Sequence, residues 1–394
     1  MIVWPTIIAT LLAILGARAV ARDVLRQPRG VPRALATVLL AWVWITLGMQ
    51  LLGTLGLLQA ASLVAWSLLG AVVGTAAGWR RRTTDDDPPF PLEPTGCEGW
   101  IAVGLVVWAA LTLGLPSLLY PVKVVSDGPI YHLYFAARWW KAGKLILVAS
   151  PFGESAATYF PANGDLWFAW LMTTWGGDRL AKLGQAPFLA MACLAAFGCA
   201  RELGASRTAS LVASSLFGTC GPLILFSFEP NVDTIFVAGY LTAAYFFLRY
   251  ALDRDGLPAL LLGGLAAGEA IGTKTVGDLF APPLLLTVCW AVVRRERATR
   301  PVLVGGATIL VGVAATSAFW FVRNALLTGN PLYPLTVKLG GTTLLAGWYG
   351  PDAMRSSIYH LPVGEWRALG DILVAVFDAR AVPLWLAAIL GAWA

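Results

Sequence analysis

Asp127 stands in the stretch SDGPIYHLYFAARWWKAGK, residues 126–144, directly behind an apolar run long enough to cross a bilayer. A carboxylate there reads in two ways. It caps the following helix together with Ser126, with Pro129 in the first turn and Gly143 at the end, or it serves as a general base. Tyr131, His132 and Trp139 sit on the same helix, and His132 is one of only 2 histidines in the chain. These rings suit interfacial anchoring as well as substrate binding. Four more groups carry chemistry-bearing side chains. Asn163 and Asp165 occur in TYFPANGDLWFAW, where one Asn or Asp is enough to cap a helix. Glu229, Asn231 and Asp233 occur together in FSFEPNVDTIFVAGY, which is more polarity than a cap needs.

Glu269 and Lys274 lie in LLGGLAAGEAIGTKTVGDLF. A Glu inside an apolar helix is costly and points by default to function. Lys274 reads as a snorkelling side chain, as the partner of Glu269, or as a cation that grips a phosphate. Arg323 and Asn324 end another apolar run, followed by the tight-turn sequence LLTGNPLYPL.

The elements that must position these residues are membrane helices. The chain is 58% hydrophobic and 13% charged, against about 25% charged in soluble domains. Apolar runs occur near 2–17, 34–57, 60–79, 100–120, 183–200, 208–228, 232–248, 257–273, 279–293, 302–322 and 369–394, with a shorter one at 163–177. Many approach the roughly 20 residues that a span requires. The fold class is therefore an all-α polytopic membrane protein with about 11–12 transmembrane helices and a juxtamembrane helix behind Asp127. On that helix Ile130, Leu133, Tyr134 and Ala137 share one face, which predicts that it lies along the outer leaflet. The first run has its arginines after the apolar stretch and no basic segment before it, so it reads as an uncleaved span. The last run ends the sequence without a polar tail, either because that helix stops in the membrane or because the sequence is part of a longer chain.

Basic linkers such as 18–33, RRR at 80–82 and RRERATR at 294–300 alternate with the apolar runs. Placing them in the cytoplasm satisfies the positive-inside rule. The net charge of +6 thus follows the membrane and implies no nucleic acid. The same topology puts 121–182, 226–233, 274–278 and 323–368 on the outer side, so the candidate residues gather there. The Pro-rich, charged segment 80–99 divides an N-terminal three-span unit, 1–79, from the remainder, 100–394. The 5 cysteines contain no CxxC pair, which argues against a zinc site or a disulfide framework.

Asp127, Lys274 and RNALLTGNPLYPL together resemble the GT-C superfamily of membrane glycosyltransferases. The likeness is to bacterial relatives of the dolichyl-phosphate-mannose–protein mannosyltransferases and the aminoarabinose transferases. SDGPIYHLYFAARWWKAGKL is similar to that group's acid-bearing first external loop, YFPANGDLWFAWLM to its Tyr-Pro-Pro element, NVDTIFVAGYLTAAYFFLRY to its Asp-led span, and GLAAGEAIGTKTVGDLFAPPLLL to its Gly-rich span with lysine. The resemblance covers roughly residues 100–335. Gly128 stands where the family often has a second acid, and three spans precede the similar region.

What the resemblance implies is a GT-C-type bundle in a bacterial inner membrane with its site facing outward. The reaction would be inverting transfer of a hexose or pentose from a polyprenyl-phosphate donor to a glycan, lipid or protein acceptor. Asp127 would act as base, and Lys274 and Arg323 would hold the phosphate. Tyr131, His132, Asn163, Asp165, Glu229, Asp233 and Glu269 would serve the sugar or the acceptor. No cofactor is required by the pattern, although Asp127 and Asp233 leave room for Mg²⁺ or Mn²⁺. Three rival readings remain. One is a transporter or lipid flippase using Glu269 and Lys274, although no internal repeat is evident. Another is a polysaccharide polymerase or ligase. The third is a non-catalytic membrane subunit whose outer polar residues only cap helices.

Overall fold

A computed structural model describes residues 4–79, 96–119, 127–151, 155–350, 367–368 and 370–371. The linker between the third and fourth apolar runs, Ser126, His360 and the final apolar run lie outside the described residues. The described chain is helical apart from one small hairpin. Helix α1 spans Trp4–Ala19 and continues as a π turn to Val24. Then come α2 (Val31–Thr54), α3 (Ala60–Trp79), α4 (Cys97–Leu119), α5 (Leu133–Ala142), α6 (Asn163–Trp175), α7 (Ala186–Glu202), α8 (Arg207–Gly218) and α9 (Gly221–Ser227). The last four are α10 (Asp233–Ala251), α11 (Leu257–Thr273), α12 (Gly277–Glu296) and α13 (Thr299–Thr328), followed by strands β1 (Val337–Leu339) and β2 (Thr342–Leu345).

By length and composition 7 helices can cross a membrane, or 8 if the bent pair α8–α9 is one span. The sequence predicts more, and the difference has three sources. The run 208–228 is broken by a 69° bend at Thr219–Cys220. Within α4 only Gly99–Thr112 passes as an apolar helix, and α11 falls short in length at Leu257–Thr273. The final run is not described. Helices α3, α12 and α13 turn large apolar side chains outward, among them Leu68, Val72, Leu286, Trp290 and Leu310. A water-facing protein could not carry such a surface; lipid tails remove the penalty.

The inside is one large core, with a smaller cluster of Ala109, Leu189, Ile224 and Phe228 beside it. Leu35, Leu39 and Met49 of α2 join Phe168 and Trp170 of α6, Tyr245 and Phe246 of α10, and Trp320 of α13. The N-terminal three helices therefore share their core with the helices that carry the candidate residues. Helix α6 is the short apolar run of the sequence. It is a 13-residue helix whose residues 163–166 and 168–174 are all buried within the bundle. Close approach of α11 to α13 depends on small residues. A Cβ on Gly312 would lie 2.8 Å from the Leu265 backbone nitrogen, so only glycine permits this crossing.

The connection after α13 is ordered by side chains. Gly329 ends α13 in the left-handed region at φ 75°. Asn330 then accepts from the Leu332 N–H at 2.8 Å and donates to the carbonyls of Leu335 and Ala346 at 2.8 Å each. The Gly-Asn-Pro signal in the sequence is thus a tight turn.

Candidate functional site

Asp127 opens a π turn, Gly128–His132, that leads into α5. Its side chain makes no capping bond to that turn, although its backbone is already helical at φ −54° and ψ −30°. The capping role open to it from the sequence is therefore not used. Its Oδ2 instead receives the Tyr131 hydroxyl at 3.4 Å, a long contact. The turn is seated where it is by Gly128, because a Cβ there would come within 2.7 Å of Pro230.

The π turn rotates the helix face that points inward. His132, Phe135, Ala136 and Trp139 are buried, while Ile130, Leu133, Tyr134 and Ala137 are half-buried. The sequence face is displaced because Trp139 docks inward. Its indole donates to the Ile146 carbonyl at 2.9 Å and stacks on Trp320 at 6.3 Å. His132 follows it in, and its Nδ1 lies 2.6 Å from Asp165 Oδ1. Both side chains are at most 5% exposed. Asp127 and His132 do not bond to one another; the long-range partner takes precedence.

Asp165 is likewise no cap, because α6 begins with Ala162 at the cap position and no side-chain capping bond. Asn163, two residues earlier, is fully buried and makes four hydrogen bonds. Its oxygen accepts from Gln50 at 3.1 Å and from the Trp320 indole at 2.7 Å. Its nitrogen donates to Glu269 Oε2 and to the Thr316 carbonyl, each at 2.9 Å. Asn163 and Glu269 are thus tied to α2 and α13 within the helix core, outside the cavity wall described below.

Lys274 follows α11 in an extended conformation, φ −151° and ψ 137°. That turn carries its amine away from Glu269 and onto Asp233 at the start of α10, 2.6 Å away. The Glu269–Lys274 pair suggested by the sequence is replaced by Asp233–Lys274 and Asn163–Glu269. Asp233 also benefits from its place in the first turn of α10. The 226–234 turn before it is fixed by Gln185, which donates to the carbonyls of Phe226 and Glu229 and accepts from the Thr234 N–H at 2.9 Å. Glu229 therefore belongs to this turn and does not line the cavity.

Arg323 lies over the Trp320 ring at 4.6 Å. It donates to Asn324 Oδ1 at 3.0 Å and to the Phe160 carbonyl at 3.4 Å. No carboxylate reaches it among the described residues. Asn324 in turn holds the carbonyls of Tyr159 and Tyr333 at 2.9 Å each, which fixes the 155–162 loop against the end of α13.

These elements enclose a cavity of about 140 Å³ lined by Tyr131, His132, Phe160, Asp165, Lys274 and Thr275, with four smaller contributors. Burial, and then the carboxylates of Asp127, Asp165 and Asp233, push the Tyr131 phenol well above its ordinary value. Its hydroxyl therefore keeps its proton and acts as a donor. Among the described residues no three His, Cys, Asp or Glu side chains gather to hold a divalent cation, and Asp233 is already engaged by Lys274. Gln50, Gln185 and Trp320 were not legible as site-building residues. The one sequence signal for the two glutamines is an amide set in or at the edge of an apolar run, where it must find partners.

No curated protein and no solved structure matches the chain. One family model does. Its region begins at Pro161, just before α6, and ends at Trp320 in α13, so it contains Asn163, Asp165, Asp233, Glu269 and Lys274 and stops short of Asp127 and Arg323. Residues 161–320 match the family described as dolichyl-phosphate-mannose-protein mannosyltransferase, so this part of the chain is similar to a membrane glycosyltransferase domain of the GT-C superfamily.

Proposed function

We propose that this protein is an inverting glycosyltransferase that takes a hexose or pentose from a polyprenyl-phosphate donor. The acceptor is a glycan, lipid or protein on the outer face of a bacterial inner membrane. The observation that carries this reading is the single cavity in which Tyr131, His132, Asp165 and Lys274 meet, with Asp127 at the Tyr131 hydroxyl. It is a small chamber with a few polar groups in a largely apolar wall, at the end of a lipid-facing bundle, which suits a substrate with a sugar at one end and a hydrocarbon chain at the other.

In the reaction the Asp127 carboxylate takes the proton of an acceptor hydroxyl. The acceptor oxygen attacks the anomeric carbon from the face opposite the phosphate, and the bond from that carbon to the phosphate oxygen breaks. The departing polyprenyl phosphate carries the electron pair. Lys274 offsets the charge developing on it, and Arg323, which has no carboxylate partner among the described residues, adds a second positive charge nearby. No step of this scheme is routed through a divalent cation.

The test is sugar transfer from a polyprenyl-phosphate hexose or pentose by the purified protein and by Asp127→Asn. Transfer by the native chain and its loss in a folded, donor-binding variant support the reading. Full activity of Asp127→Asn removes Asp127 as the base.

A further inference from the structure

The cavity beside Lys274 contains two polar atoms that the fold leaves without a partner. His132 Nε2 and Thr275 Oγ1 are both buried, and neither meets a hydrogen-bonding group of the described chain. Both residues line the same cavity, with Tyr131, Asp165 and Lys274 in the remaining wall. Buried polar atoms are almost always satisfied in native proteins, so two orphans on one small cavity point to a polar ligand.

His132 is held from behind. The 2.6 Å distance from Nδ1 to Asp165 requires a proton between them. With Nδ1 taken by Asp165, Nε2 is the ring nitrogen left for a ligand. The Tyr131 ring packs against the imidazole at 4.1 Å and fixes its plane. A ring nitrogen held in this way pairs with a hydroxyl, which both donates and accepts, and Thr275 adds a second such group. Adjacent hydroxyls of a carbohydrate ring satisfy the two together. The volume, about 140 Å³, is below the roughly 300–1,000 Å³ of a complete ligand site. It therefore accommodates one part of a larger substrate, the part next to a phosphate at Lys274.

We infer that His132, positioned by Asp165, reads the sugar of the donor, its Nε2 hydrogen-bonding one ring hydroxyl while Thr275 meets a neighbouring one. The inference rests on the donor reading above and divides its labour. Lys274 and Arg323 hold the phosphate, which every such donor shares, and His132 holds what differs.

The experiment uses the full chain in lipid nanodiscs with two probes, a polyprenyl phosphate and the same lipid carrying a hexose or a pentose. The native chain is expected to bind the sugar-bearing lipid about tenfold more tightly, the worth of one or two hydrogen bonds. His132→Phe combined with Asp165→Leu removes both polar partners, so that no carboxylate is stranded in the core. In this variant the tenfold preference is expected to fall to about twofold or less. A second readout needs neither of these substitutions. The chain has 2 histidines, so His360→Gln leaves His132 as the sole source of a histidine ¹⁵N signal. The sugar-bearing lipid is expected to shift the Nε2 resonance and the bare phosphate to leave it in place. A double variant that keeps the tenfold preference, or an Nε2 resonance blind to the sugar, overturns the inference and leaves the donor reading intact. A native chain that binds neither lipid overturns both.

Discussion

Helices α10 to α13 run between two clusters of charge, and the clusters are built on opposite plans. At one end Arg249 is enclosed by Glu202 and Asp255, the latter at 2.7 Å. Arg295 pairs with Asp253 and donates to the Tyr250 carbonyl at 2.8 Å, and the Tyr250 hydroxyl reaches Glu296 at 3.0 Å. Both arginines there have carboxylate partners. At the other end Lys274 has one carboxylate, Arg323 has none among the described residues, and His132 and Thr275 keep buried atoms unused around a cavity. A closed network rigidifies the helix ends it joins; an open one holds interaction energy in reserve for a ligand. The contrast separates charges that build the fold from charges that the proposed reaction would use.

The sharpest way to break the contrast is at Asp127. Its carboxylate contributes no cap to its own turn, so Asp127→Asn is expected to leave the unfolding midpoint unchanged. Sugar transfer should fall by about 10²–10⁴-fold, the usual contribution of a general base. Rate and midpoint measured on one preparation check both halves.

Arg249→Met should show the reverse pattern. It strands Asp255 and leaves Glu202 with Arg254 alone at 3.7 Å, beside a side chain that is 8% exposed, which costs about 3–5 kcal/mol for a buried pair. The expected outcome is a much lower unfolding midpoint with donor affinity per folded molecule retained. A loss of donor affinity with unchanged stability would erase the distinction between the two ends.

A smaller effect is expected at Lys274. Lys274→Ala removes a charged donor worth about 1.5–3 kcal/mol, so donor affinity should drop by about 10- to 100-fold. Asp233→Asn offers the sharper comparison. It releases the amine from its carboxylate 2.6 Å away, and affinity for the phosphate is expected to hold or rise. Equal losses in both variants would mean that the pair is structural, like the one at Arg249.

Much of this arrangement is visible in the sequence, and what is missing is missing for physical reasons. The apolar runs predict α1, α2, α3, α7, α10, α12 and α13, because a bilayer fixes both the length and the hydropathy of a span. The residues that meet were harder to read. Glu269 and Lys274 are five positions apart and invite pairing, but the chain leaves the helix at Lys274 in an extended conformation, and sequence spacing then carries no information about reach. His132 and Asp165 belong to segments 33 residues apart, and nothing local selects one for the other. Asn163 looks like a helix cap because the sequence shows only its neighbours along the chain. Its four partners come from α2, α11 and α13.

The smallest expected effect is at Glu269, and it tests whether depth in the membrane is enough to mark function. Glu269 is fully buried, as are Lys274's neighbours in α11, but its Oε2 is already used by Asn163. Glu269→Gln keeps an oxygen in that position and changes the volume little. The expected cost is within about 1 kcal/mol of stability, the scale of one hydrogen bond, with donor affinity within about twofold. A transporter that relies on an intramembrane acid for coupling responds very differently, because neutralising that acid abolishes the cycle. Transfer rate and unfolding midpoint of this variant therefore weigh two accounts of the same residue. If the rate collapses while the midpoint holds, Glu269 acts on the substrate and the boundary drawn here between core network and cavity is in the wrong place. If both stay near the native values, the costly acid is a structural member of the Asn163 network, and the groups that serve a substrate are those at the end where His132, Thr275 and Arg323 lie.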